Sequence, residues 1–403
     1  MKYSKANKSL IIFMLLSISI LLVYDLFNEV DKRGEVTEVR NLPRFYRILL
    51  LLISGWFYLL IDKIKKSKFN RQLIVIYVLI ILHIVYSSSF GLDSLISLSK
   101  LLYLLFIYLF FFKFYSAFMN MQTIKYLNVF VTSSVIILSI HIIASRFGFV
   151  GIDNTIKTYG NNNAYILLSF LPLIYLNRKL KIKRVLIIIL TLGVFLSLKR
   201  GAIVALLGCL LGAYFFERRI LQRKGFVEKI KRFLVLASTV ALLVFFYSKF
   251  ADLFIERLED FSGDNESFGS GRGNIYGLIW KDWYESNNFI TYFIGKGYNS
   301  VQVLTKMRTG SALMAHSDGL NFLHSYGLVG ISILFVFILN QIKTIKKLFV
   351  VKSELVIPYF MLFIIFFFKS VYSGNFETPN FIYLLIGYAI FNASLNNVRI
   401  QQR

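Results

Sequence analysis

The residues in this chain that could do chemistry stand in a few short clusters. Lys199 and Arg200 lie in Ser197-Leu-Lys-Arg-Gly-Ala202, Arg272 in Gly269-Ser-Gly-Arg-Gly273, and His316 is followed by Ser317 and Asp318. An arginine presents a planar, permanently charged fork that matches phosphate oxygens. Two arginines and a lysine can hold a diphosphate without a divalent cation. His316 or Asp318 beside them can take a proton from an attacking hydroxyl. Asn161 and Asn163, in the run after Tyr159 and Gly160, offer amides to a glycan. Trp280 and Trp283 offer indole faces to sugar rings or a lipid tail. Taken together, these groups suit transfer from a lipid diphosphate donor to a hydroxyl acceptor. Each cluster also has a plainer reading: headgroup binding by snorkelling for Lys199 and Arg200, a surface charge for Arg272, a capped helix entry at His316, and a turn for the asparagines.

Familiar soluble-enzyme patterns are missing. There is no phosphate loop ending in Gly-Lys-Ser/Thr, no GxSxG elbow and no HExxH pair. Cys209 is the single cysteine, so an intramolecular disulfide is impossible and no metal or other cofactor is expected. His83 and His141 fall inside apolar runs and read as histidines satisfied within or between helices.

The elements that must position these groups are membrane helices. Of 403 residues, 57% are hydrophobic and only 17% charged, with 41 Phe and 24 Tyr, whereas soluble domains are about 45–50% apolar and about 25% charged. A helix crossing the hydrocarbon needs roughly 20 mostly apolar residues. Twelve stretches qualify, near 9–24, 45–61, 73–90, 95–118, 126–144, 164–176, 184–198, 201–216, 233–248, 320–340, 355–373 and 380–393. The expected fold is an all-α polytopic membrane protein. Residues 1–248 hold the first nine spans, 249–315 form a long external loop, and 316–403 hold the last three. The N-terminal apolar run has no small-residue cleavage site after it and reads as a retained first span.

The net charge of +25 raises the question of nucleic acid. Its placement answers that question. With both termini cytoplasmic, the basic runs Lys63–Arg71, Arg178–Arg184 and Arg218–Arg232 all fall inside, as the positive-inside rule requires, and nucleic acid drops out. The same orientation puts Lys199–Arg200, Arg272, the asparagine run and His316–Asp318 on the outer side. In the external loop, Ile275, Ile279 and Trp283 recur every four residues, with Tyr276, Trp280 and Tyr284 on the adjacent stripe. That spacing predicts an amphipathic helix at the interface, touching membrane lipids.

Four stretches in order, over roughly residues 150–340, carry a family resemblance: Tyr159-Gly-Asn-Asn-Asn163, Ser197-Leu-Lys-Arg-Gly-Ala202, Ser270-Gly-Arg-Gly-Asn-Ile-Tyr-Gly-Leu-Ile-Trp280, and His316-Ser-Asp-Gly-Leu-Asn with Gly327 and Gly330 beyond it. The layout resembles the bacterial O-antigen polymerase and O-antigen ligase superfamily. The resemblance implies a metal-independent glycosyltransferase of the bacterial cytoplasmic membrane that uses undecaprenyl-diphosphate-linked oligosaccharide. Arg200 and Arg272, with Lys199, would engage the diphosphate, and His316 would act on the acceptor hydroxyl or donor phosphate. Ser317 and Asp318 depart from the family's usual residues after the histidine, which makes Asp318 a rival base. A polymerase of O-antigen, capsule or exopolysaccharide is the favoured expectation. It would work with a flippase and a chain-length-regulating membrane protein. A ligase moving glycan to lipid A-core is the alternative within the superfamily, and a lipid-linked oligosaccharide flippase the alternative from another class.

Overall fold

The computed structural model describes residues 5–28, 41–60, 68–86, 92–119, 121–147, 163–176, 182–220, 272–286 and 288–401. Among these residues the regular structure is entirely helical. The helices before the long loop are α1 (Lys5–Asn28), α2 (Asn41–Leu60), α3 (Lys68–Tyr86), α4 (Leu92–Phe118), α5 (Met121–Phe147), α6 (Asn163–Ser169), α7 (Leu171–Leu176), α8 (Lys183–Leu196) and α9 (Arg200–Ile220). After it come α10 (Arg272–Tyr284), α11 (Phe289–Ile294), α12 (Ser300–Thr309), α13 (Asp318–Val350), α14 (Val356–Tyr372) and α15 (Phe381–Gln401).

All but one of the expected apolar stretches coincide with these helices; the stretch 233–248 lies outside the described residues. Five helices are long and apolar enough to cross a membrane: α1, α4, α5, α9 and α13. The chain is therefore read as a helical membrane protein. In hydrocarbon every backbone N–H and C=O must be satisfied within the chain, and a helix does this segment by segment.

Two stretches expected as single helices are interrupted. The run at 164–176 splits into α6 and α7 around Phe170, whose N–H reaches back only three residues to Leu167. Pro172, just beyond, has no N–H to give to the carbonyl four residues earlier. α13 is broken at Gly327, whose φ of 62° and ψ of −157° suit only a residue without a Cβ.

Lipid tails are as apolar as leucine, so close packing rather than the hydrophobic effect holds such helices together. α4 packs between α2 and α15, and its run of Phe110, Phe111, Phe112, Phe114 and Tyr115 is buried there. α9 lies along α14, where Gly208 and Gly212 let the backbone approach Phe360 and Ile364. Phe376, in the turn between α14 and α15, plugs into a nest of rings. Phe322, Phe366 and Phe381 lie 5.3, 5.7 and 5.3 Å from it. That plug fixes the turn 373–380, which carries polar groups to the site.

Candidate functional site

α13 begins at one end of the bundle, and the turn 373–380 folds over its first residue. The Asp318 carboxylate accepts from the backbone N–H of Asn375 at 2.9 and 3.0 Å and from the hydroxyl of Ser370. Lys369, also buried, acts on it electrostatically. Glu377, two residues beyond Asn375, accepts from Asn321 Nδ2 and from the Tyr326 hydroxyl, each at 2.9 Å. Burial raises the Glu377 carboxyl above its usual range, and those two hydrogen bonds and the Lys100 charge only partly offset it.

Between these groups and α12 lies a cavity of about 30 Å³, room for one or two waters or a single polar substituent. Asn299, Gln302, His316, Asp318, Asn321 and Glu377 contribute to its lining beside Val301, Met314 and Ala315. His316 is exposed and has a left-handed backbone with φ of 52°, which is uncommon for a residue with a Cβ.

The Lys199–Arg200 turn lies at the same end. A Cβ on Gly201 would sit 3.1 Å from Tyr372, the residue before the cavity-lining Ser373 and Gly374, and would also meet Tyr165 of α6. The turn is held from below by Arg146 of α5. This buried side chain donates from Nε to the Leu196 carbonyl at 2.6 Å and from Nη2 to that of Ser197 at 2.9 Å. It secures the chain just before Leu198, whose φ is 51°. Asn163 opens α6 and is buried, two residues before Tyr165. Asn161 lies outside the described residues.

Arg272 is the first residue of α10, and its side chain lies outside the described residues. One turn further, Ile275 packs on a small cluster made of Ile279, Val301, Leu304 and Ala315. That cluster seats α10 and α12 together against the residue preceding His316. The expected clusters are thus drawn to one end of the bundle: Asn163, Lys199–Arg200 and His316–Asp318 through contacts, Arg272 through the placement of its helix.

Asp318, expected as a rival proton acceptor, lines the cavity at 4% exposure and accepts from two donors, the Ser370 hydroxyl and the Asn375 N–H, which tie α13 to the turn 373–380. Trp283 was expected to meet glycan or lipid. It is 8% exposed and sits between Trp280 and Tyr292, because the Ile279–Trp283 stripe faces the chain's own cluster and not the membrane surface. Trp280, 51% exposed, remains open to a ligand. Also exposed are Tyr284 and, on α11, Phe289, Ile290, Phe293 and Ile294.

Sequence reasoning missed Glu377 and also a second polar chain beside the cavity. His324, six residues into α13, bonds through Nε2 to Asp282 of α10 and through Nδ1 to Ser300 of α12, each at 2.8 Å. Lys296 reaches the same Asp282 oxygen at 2.6 Å. Burial pushes the Asp282 carboxyl up, but the bonds and charges of Lys296 and His324 outweigh it and leave it below its usual value. His83 of α3 has Leu79 O within its helix and Ile294 O each at 2.9 Å, two carbonyls to one of which its neutral ring donates. No local pattern marks any of these pairings. Among the described residues no group of three His, Cys, Asp or Glu side chains could hold a metal.

Neither the protein-family models nor the curated proteins compared with the chain include a match.

Proposed function

We propose that this chain is a metal-independent membrane glycosyltransferase that polymerises undecaprenyl-diphosphate-linked oligosaccharide at the outer face of a bacterial cytoplasmic membrane. In this reading the twelve spans place both termini in the cytoplasm. The observation that carries the reading is that the Lys199–Arg200 turn, next to Tyr372, lies at the same end of the bundle as a cavity lined by an exposed His316 with a left-handed backbone.

The acceptor hydroxyl would approach beside His316, which takes its proton. The acceptor oxygen forms the new bond to the anomeric carbon as the bond from that carbon to the diphosphate oxygen breaks. Arg200, Arg272 and Lys199 stabilise the charge left on the diphosphate. Asp318 holds the loop that shapes the cavity through Ser370 and Asn375. Trp280 and the exposed face of α11 suit contact with lipid.

The test is surface glycan length in a deletion strain complemented with wild type, Arg200→Ala, Arg272→Ala or His316→Ala. A gel resolving single repeats should show polymer for wild type and one repeat on the final carrier for each variant at equal membrane abundance. Near-normal polymer in both arginine variants removes the diphosphate role. Long glycan left on the undecaprenyl carrier in the deletion strain would indicate the ligase, and repeats accumulating at the cytoplasmic face the flippase.

A further inference from the structure

His324 sits where two walls of the cavity can be joined. Ser300, which it meets through Nδ1, lies between Asn299 and Val301, both in the cavity lining. The Ser300 hydroxyl is 3.1 Å from that of Ser325, and Ser325 Oγ is 3.4 Å from Oδ1 of Asn321, another lining residue. The ring is 1% exposed, and its own carbonyl accepts from Lys296 N–H at 2.9 Å, so neither ring nor backbone can drift.

The direction of each bond follows from the partners. Asp282, ionised and already accepting from Lys296, can only accept, so Nε2 must carry a proton. In the neutral ring Nδ1 is then bare and accepts the Ser300 proton. Ser300 Oγ is left to accept from Ser325 at the shorter of that hydroxyl's two distances, and Asn321 Oδ1 does not receive the Ser325 proton. If the ring gains a second proton, Nδ1 donates to Ser300, Ser300 donates to Ser325, and Ser325 turns to Asn321 Oδ1. The charged groups around this chain are Asp282 and Lys296 on the loop side and Glu377 beyond Asn321, with Lys100 acting on Glu377. His83 stands edge-on to Tyr326 at 4.9 Å.

We propose that His324 is a positioning residue that clamps the Asn299–Gln302 wall to the Asn321 wall in its neutral form, and that protonating it reverses the Ser300–Ser325 hydroxyl chain so that Asn321 Oδ1 gains a hydrogen-bond donor. This assignment does not depend on the reaction proposed above.

The chain has four histidines, so ring nitrogens can be followed one by one in the full-length protein. With ¹⁵N-histidine labelling in phosphatidylethanolamine–phosphatidylglycerol nanodiscs, His324→Gln identifies the His324 pair. Should that variant not fold, His83→Gln, His141→Gln and His316→Gln identify it by elimination. Near about pH 7.5, where an unperturbed imidazole is mostly neutral, His324 should show a protonated Nε2 and a bare Nδ1. Ser300→Ala should move the Nδ1 shift and keep the tautomer, whereas Asp282→Asn should reduce the excess of the Nε2–H form. On acidification the Asn321 side-chain amide should titrate with the His324 midpoint, and in Ser300→Ala it should not. A protonated Nδ1 on the neutral ring, an Nδ1 indifferent to Ser300→Ala, or an Asn321 amide that ignores the His324 midpoint each overturns the proposal.

Discussion

Replacing Gly327 with alanine should detach the loop that closes over α13. At this position φ is 62° and ψ −157°, a region that costs any other residue about 1–3 kcal/mol. The added Cβ would also lie 2.5 Å from the carbonyl carbon and oxygen of Phe293 and 2.7 Å from the nitrogen of Gly295. These are backbone atoms, so no side chain can swing away to relieve the contact. The cheapest relief is for the chain at 293–297 to lift, which breaks Lys296 N–H to His324 O and Gly297 N–H to Ser325 O, 2.9 and 3.0 Å long. Each such bond is worth about 0.5–1.5 kcal/mol. The bonds are lost on opening in wild type as well, so the change in opening free energy is the strain itself, about 1–3 kcal/mol. Hydrogen exchange of the Lys296 and Gly297 amides should therefore quicken at least about fivefold, at about 1.4 kcal/mol per tenfold. Gly277→Ala is the control. Nothing lies within 4 Å of its added Cβ, and in mid-helix the change should be neutral or slightly stabilising. Exchange at 296 and 297 that is the same in Gly327→Ala and wild type would refute the reasoning.

Gly212→Ala should lower the unfolding temperature through an overpacking cost of about 1–3 kcal/mol, because its Cβ would run into the Phe360 ring; Phe360→Leu should suppress part of that loss, and additive losses would count against direct contact. Arg146→Met should cost about 2–4 kcal/mol, from the loss of charge-assisted bonds to Leu196 O and Ser197 O. It should also shorten glycan although Arg146 is placed below the Lys199–Arg200 turn, with Arg146→Lys retaining more of both; unfolding and glycan like wild type in Arg146→Met would remove the turn-holding role. For Glu377 the sign follows from a carboxyl raised in the fold. The protonated form is the one the fold favours, so stability is greatest at or below the unfolded value near 4.5 and declines as pH rises through the folded value. Unfolding temperatures taken across that range should show Glu377→Gln gaining on wild type as pH rises; parallel curves would refute the burial argument.

Helix content and its approximate placement were legible because burial in hydrocarbon admits so few backbone solutions. Once a run such as 92–118 or 121–147 is apolar enough, a helix follows almost by necessity. The helix at 272–284 was equally readable from its four-residue spacing. The side that spacing faces was not. Ile279 and Trp283 bury against Val301, Leu304 and Ala315, which lie on other segments, while Phe289, Ile290, Phe293 and Ile294 of the short α11 stay exposed.

The clusters at Lys199–Arg200 and His316 could be picked out because cations and a histidine stand apart in so apolar a chain. Asp318 could be picked out for the same reason, but its role could not. Its carboxylate is held by Ser370 and by Asn375, whose turn is pinned by the Phe376 plug. Glu377 meets Asn321, and Asp282 meets His324, across separations at which no spacing rule operates. By itself the sequence determined which segments leave water and which side chains are unusual there, since transfer free energy and backbone satisfaction are properties of local runs. Only the tertiary structure decided which of those polar groups face one another, because helix rotation, the break at Gly327 and the seating of one turn on another depend on packing between segments distant along the chain.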